Sequence, residues 1–276
     1  MKKDIGSLFE LREEISSALE KNQFHLFYQI QVDNLNRPIG AEILIHWLHP
    51  EHGLLLPALF IPLAEELGLI MPIQLWLLEM ACAQIKAWEQ TPLTHDLVLA
   101  VNVSFVHFCH AGFVTQVHQI VQRYAIQPTQ LKLEISESML SGYGKETVEI
   151  MRAAKNIGIQ LALANFGIGY SAWSYLKRYP LDQLKIDRSL VRDLALDNEG
   201  LAIVSSIINI TKRLNIDVIA EGVETEVQRE LLMNHGCNKF QGYLFGQPKP
   251  LIEFEQLLKL GTEQRGDILV RWSKDN

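Results

Sequence analysis

The sequence predicts an α/β protein built on a closed barrel, and three observations carry that prediction. Apolar runs of strand length alternate with segments of helical period along nearly the whole chain, the pattern of parallel strands joined by crossover helices. About eight such units fit within 276 residues, which suits a (β/α)8 barrel. An open doubly wound sheet often places a glycine-rich fingerprint after its first strand, and none occurs here.

The elements follow in order. A charged amphipathic stretch near 8–20 reads as a helix, and strands follow near 24–31 and 40–45. His46, His49 and His52 then recur beside Pro50 and Gly53, a turn without the helical pairing of metal-ligand histidines. The Leu- and Ile-rich stretch 53–83 carries Pro57, Pro62, Pro72, Glu65, Glu66 and Glu79, so no run of about 20 apolar residues is left to span a bilayer. It resolves into helices near 57–68 and 73–89, the second presenting Leu75, Leu77, Leu78 and Ala81 to the core. Beyond it, strands near 97–102, 130–135, 159–164, 182–186, 216–220 and 238–241 alternate with helices near 112–124, 145–157, 199–213, 225–234 and 251–260.

Composition narrows the function classes. With 48% hydrophobic residues and no linker or low-complexity tract, the chain reads as one domain over 1–276, its barrel occupying about 10–260. The net charge of −7 argues against a nonspecific nucleic-acid or anionic-membrane surface. Cys82, Cys109 and Cys237 form no Cys-x-x-Cys pair, which suits a reducing compartment and no structural zinc; with no signal peptide at the N-terminus, a cytoplasmic location is expected.

Barrel chemistry collects where strands end, and the strand ends here are polar. Glu42 closes Gly-Ala-Glu-Ile-Leu-Ile, Asn102 closes Leu-Val-Leu-Ala-Val-Asn, and Glu134 lies in Leu-Lys-Leu-Glu-Ile-Ser-Glu. Lys185 and Asp187, Glu221 and Glu224, and Gln241 continue the series. A carboxylate in an apolar strand is costly unless paired or metal-bound, so their recurrence points to a shared site. At the end of the strand near 159–164, however, stand Ala164 and Asn165, where a metal centre would want carboxylates.

The motifs resemble the EAL-domain family, whose active members hydrolyse the bacterial second messenger cyclic di-GMP with two divalent metals. The matches stand in family order: Phe-Tyr-Gln-Ile (27–30), Glu-Ile-Leu-Ile-His-Trp (42–47), Phe-Ile-Pro-Leu-Ala-Glu (60–65), Val-Asn-Val-Ser (101–104) and Glu-Ile-Ser-Glu (134–137). Asn-Phe-Gly-Ile-Gly-Tyr-Ser (165–171), Lys-Ile-Asp-Arg-Ser (185–189), Ala-Glu-Gly-Val-Glu-Thr (220–225) and Gln-Gly-Tyr-Leu-Phe (241–245) complete them. The resemblance implies a TIM-like (β/α)8 barrel of the EAL type, with allowance for one antiparallel barrel strand.

It also implies roles. Glu42, Asn102 and Glu134 match ligands of one metal, Glu221 a residue at the second metal and its water, and Lys185 the lysine that orients the nucleophile. Gln29, Ile43, Leu44, His46, Pro57 and Gln241 match positions around the nucleotide. Glu137, Phe166, Gly167, Gly169 and Tyr170 match the loop that reports on ligand and dimer state. The family's paired metal-bridging aspartates align with Ala164 and Asn165, and its phosphate-binding arginine with His46. Alanine supplies no ligand and asparagine a neutral carbonyl, whereas Mg²⁺ depends on anionic ligands. One charge about 4 Å from a cation is worth about 4 kcal/mol at an effective dielectric near 20, so the metal centre is expected to be vestigial. No tightly bound cofactor is expected, and Mg²⁺ or Mn²⁺ only with residual activity.

Bland roles stand beside these. Asn102, Ser104 and Ser136 can cap strand ends, and Lys185 can neutralise Glu42, Glu134 or Glu221 in a buried ion pair. Three functions remain open: a cyclic di-GMP receptor, a nucleotide-independent module that regulates a protein partner, and a residual phosphodiesterase. A homodimer is expected in each case, with no nucleic-acid or membrane partner.

Overall fold

In the computed structural model, which describes residues 5–137, 144–167, 176–194 and 198–260, ten strands form one sheet. The strands are β1 (Phe24–Asp33), β2 (Pro38–His49), β3 (Gly53–Leu55), β4 (Val98–Asn102), β5 (Leu131–Ser136), β6 (Gln160–Phe166), β7 (Gln183–Ile186), β8 (Asp217–Ala220), β9 (Lys239–Gln241) and β10 (Lys249–Pro250). Pairing runs β10-β1-β9-β8-β7-β6-β5-β4-β2-β3, and β1 also pairs with β2, which closes β1, β2 and β4 to β9 into an eight-stranded ring. β1 runs antiparallel to both its ring neighbours, β2 and β9, while the remaining ring pairings are parallel. The barrel and its one reversed strand thus match the expectation.

The reversal rests on a tight hairpin. Asp33 Oδ1 accepts the backbone N–H groups of Leu35 (2.9 Å) and Arg37 (2.8 Å), and Asn36 takes the left-handed φ of 57° that asparagine tolerates. β2 then runs on through Glu42 to His49 and pairs with β3, so Glu42 lies within its strand rather than closing it. The edge strands β3 and β10, of three and two residues, are too short to show alternation in sequence.

The helices are α1 (Ile5–Ala18), α2 (Pro57–Glu66), α3 (Ile70–Trp88), α4 (Phe105–Phe108), α5 (Phe113–Tyr124), α6 (Gly144–Ile157), α7 (Arg188–Arg192), α8 (Asn198–Arg213), α9 (Glu226–Asn234) and α10 (251–260). α3 begins three residues before the expected 73, because Pro72 falls in its first turn, where no backbone N–H is needed. The short α4 and α7 were not expected, and both are made by side-chain caps. Ser104 accepts from His107 N at 3.3 Å, and Asp187 from Ser189 N at 2.7 Å.

Two apolar cores hold the molecule. The larger lies among the barrel strands and α3 to α10, while the smaller joins α1 to α3 to the β1–β2 hairpin around Phe24, Trp47, Phe60 and Ile70. His49 serves the smaller core: its Nδ1 accepts from Glu51 N and His52 N, leaving Nε2 to donate to Glu14 of α1. No described helix is long and apolar enough to cross a membrane.

Candidate ligand site at the carboxyl end of the barrel

The strand register brings polar residues from separate strands into one layer. Glu42 lies opposite Gln29, Asn102 beside Glu134, Glu134 beside Ala162, and Gln31 opposite Gln241. At the centre stands Lys185, 1% exposed. Its Nζ lies 2.9 Å from Glu42 Oε2, 2.5 Å from Glu134 Oε2 and 2.7 Å from Glu221 Oε1. Around this group, Asn102 Nδ2 donates to Glu42 Oε1 (2.6 Å), and Gln241 Nε2 donates to Glu42 Oε2 (2.7 Å) and Gln29 Oε1 (2.9 Å). Gln31 Nε2 completes the chain by donating to Gln241 Oε1 at 2.9 Å.

One ammonium does not serve the three carboxylates equally. Burial would strip Lys185 of its proton, but Glu134, Glu221 and Glu42 overcome it and hold the ammonium well above the usual lysine range. Burial also works against an ionised Glu42, yet Lys185, Gln241 and Asn102 keep that carboxyl below its ordinary value. Glu134 goes the other way: burial and the nearby Glu42 charge push it to about 8 despite Lys185. Burial likewise raises Glu221, with Lys185 opposing. Glu134 Oε1 is buried without a hydrogen-bond partner.

Ala164 faces this layer, 4% exposed beside Ser136. At Asn165 the β6–β7 ladder shifts register and the backbone turns left-handed (φ 56°), which swings Asn165 into the cleft. Glu137 Oε2 accepts from Gly167 N at 3.1 Å and so joins the ends of β5 and β6. Gly167 takes φ 101°, and a Cβ there would meet Leu190 at 2.5 Å, so the position requires glycine. Phe166 is buried in the core. Gly169 and Tyr170 lie outside the described residues.

Above the cluster opens a polar cleft of about 520 Å3 bounded by Gln29, Glu42, Leu44, Asn165, Glu221 and Gln241, with Asp187, Arg188, Glu224 and the exposed Tyr243 at its margin. A second cavity of about 470 Å3 adjoins it through Leu44 and is mainly apolar, lined by Ile43, Pro57, Ile61 and Leu77 with Asn102 and Ser104. Pro57 and Ile43 thus line this neighbour and not the polar cleft. His46 lines neither: it is 6% exposed, its Nδ1 donates to Leu44 O at 3.0 Å, and its ring packs 4.1 Å from that of Phe27. Sequence reasoning missed Gln31, Arg188 and Tyr243. Gln31 shares the strand face of Gln29, and that period of two was the available signal.

The donor set decides what metal chemistry is open. Glu42, Glu134 and Glu221 present oxygens within 4.8 Å of one another, the one such cluster among the described residues, but the ammonium of Lys185 contacts all three. Ala164 offers no donor and Asn165 only a neutral amide, so neither position supplies a carboxylate to bridge two ions about 3.5–4 Å apart. The residues present do not fit a two-ion centre.

Comparison with known proteins gives a consistent result. The family described as EAL domain matches residues 12–248. MucR of Pseudomonas aeruginosa, a bifunctional diguanylate cyclase/cyclic di-GMP phosphodiesterase, is 42% identical over 250 residues, spanning 90% of this chain and 36% of that protein. The chain therefore spans about a third of that relative's length. The solved structure of the PaMucR phosphodiesterase in complex with c-di-GMP superposes with a TM-score of 0.86 at 40% identity, covering 89% of this chain and 99% of that one. The EAL enzyme Bd1971, in its cAMP- and cyclic-di-GMP-bound form, gives 0.86 at 30% identity over 94% and 70%.

Proposed function

The chain belongs to the EAL domain family, and from that premise we propose that it acts in cyclic di-GMP signalling as a metal-independent receptor for the dinucleotide. One observation carries this reading: the Lys185 ammonium contacts Glu42, Glu134 and Glu221 at 2.5–2.9 Å while Ala164 brings no ligand. The lysine neutralises the charge that divalent ions would otherwise neutralise, and no metal-activated water is supplied for phosphodiester hydrolysis. The retained surroundings support binding. The polar cleft offers Gln29 and Gln241, Tyr243 gives an exposed aromatic face, and the adjoining apolar cavity at Leu44 and Pro57 can shelter a base.

Glu134 Oε1, buried and unpartnered, favours a second reading, since it is a donor available to a single cation beside Glu42 and Asn102. In that case residual metal-dependent hydrolysis would remain. Calorimetric titration with cyclic di-GMP, with chelator and then with Mn²⁺, separates the two. Binding in chelator without turnover supports the receptor. Linear dinucleotide formed only with Mn²⁺, and abolished by Glu42→Ala, supports the hydrolase, and no heat in either condition leaves a nucleotide-independent partner-binding module. The reading includes a homodimer, which sedimentation of the protein with and without the dinucleotide would test.

A further inference from the structure

A doubly anionic ligand entering this cleft meets Glu42, Asp187, Glu221 and Glu224 along its walls. It needs a cation, and two candidates are already committed. Lys185 is buried at 1% exposure and saturated by its carboxylates. His46 is held away from the cleft by the Leu44 carbonyl and the Phe27 ring, and burial lowers its basicity, so it is neutral at pH 7.

Arg188 remains. Among the described residues it is the one cationic side chain lining the cleft, and no hydrogen bond or ion pair engages its guanidinium. It is the first residue of α7, directly after Asp187, whose carboxylate is occupied in capping Ser189 N at 2.7 Å. Its stem is positioned by Gly222 in the loop after β8. A Cβ on Gly222 would fall 2.4 Å from Arg188 Cβ and 3.1 Å from its Cα, so the missing side chain is what lets the arginine lie over the cleft wall. The guanidinium thus stands on the β7–β8 side of the mouth, across the barrel from the β2 strand that carries His46.

We infer that Arg188 is the phosphate-anchoring residue of this cleft, its guanidinium forking onto a phosphodiester of the bound ligand. The assignment rests on the cleft being the cyclic di-GMP site. It places phosphate recognition at the start of α7 and makes binding steeply dependent on one exposed side chain. A planar fork matches two phosphate oxygens, which a lysine's point charge does not.

The test is calorimetric titration of the full chain with cyclic di-GMP in chelator at low and moderate salt, comparing Arg188→Ala, Arg188→Lys and Arg192→Ala. Arg192 removes the same charge from α7 but pairs with Asp193 outside the cleft, so it controls for net charge. Arg188→Ala is expected to weaken binding roughly 10- to 100-fold and to flatten the salt dependence, with Arg188→Lys in between and Arg192→Ala within about twofold of wild type. Arg188→Ala binding like Arg192→Ala would overturn the assignment while leaving the receptor reading intact. A wild type that binds no dinucleotide overturns both.

Discussion

Two buried lysines, one strand layer apart, meet opposite fates in this barrel. Lys132 on β5 donates to Gln183 Oε1 of β7 at 2.9 Å, and Lys185 on β7 donates to Glu134 of β5 at 2.5 Å. Both bonds cross β6 on the face where Ala162 and Ala164 present small side chains. Their burial is similar, at 5% and 1% exposure, yet their basicity diverges. Burial lowers Lys132 to about 8 although the charge of Glu134 opposes it, whereas direct contact with Glu134, Glu221 and Glu42 raises Lys185 well above its usual range. Burial alone therefore does not set a lysine's charge in this interior. Direct contacts do: Lys185 touches three carboxylates, and Lys132 donates to an amide oxygen.

The largest effect should come from deleting each cation. Lys185→Met leaves buried carboxylates without a counter-charge and is expected to cost about 3–5 kcal/mol in urea denaturation. Lys132→Met strands only an amide oxygen and should cost about 1–2 kcal/mol. Equal losses would break the comparison. Introducing carboxylates with Ala164→Asp and Asn165→Asp should come next: the double variant crowds like charges around Lys185, lowers stability at neutral pH, and recovers it in millimolar Mn²⁺. Indifference to Mn²⁺ would mean that the barrel does not hold a metal geometry.

Proton linkage gives a signed effect. The folded Glu134 carboxyl stands at about 8 against 4.5 unfolded, so its contribution is full below 4.5 and is lost as pH rises through 8. The folded Lys132 stands at about 8 against 10.5, so between those values the unfolded chain binds the extra proton and stability rises with pH. Denaturation midpoints from pH 5 to 10 should therefore pass through a minimum near 8, whose falling limb Glu134→Gln removes. The smallest change is Gln183→Glu, which gives Lys132 a carboxylate partner and should erase the rising limb with little effect at pH 7. Were the limb to persist, the amide would not be what distinguishes the two lysines.

Much of this was legible in the sequence. Strand-length apolar runs placed every strand of the ring, because barrel strands buried on both faces read as continuous hydrophobic segments. Glu42, Glu134, Lys185 and Glu221 stood out since charges in such runs require partners. The short edge strands β3 and β10 and the helices α4 and α7 were not legible, being set by pairing and capping with too few residues to show a period. Nor was it legible that Lys185 would contact all three carboxylates together, or that His46 would turn from the cleft onto Phe27. Those depend on register and on packing across the hairpin.

The central claim is that Lys185 occupies the electrostatic place of a metal ion. Electron paramagnetic resonance of Mn²⁺ titrated into the wild-type protein at pH 7.5 tests it most directly. The signal of free Mn²⁺ should persist through sub-millimolar additions and fall only in the variant carrying Ala164→Asp and Asn165→Asp. Stoichiometric Mn²⁺ uptake at micromolar concentration by the wild type, lost on Glu42→Gln, would contradict it.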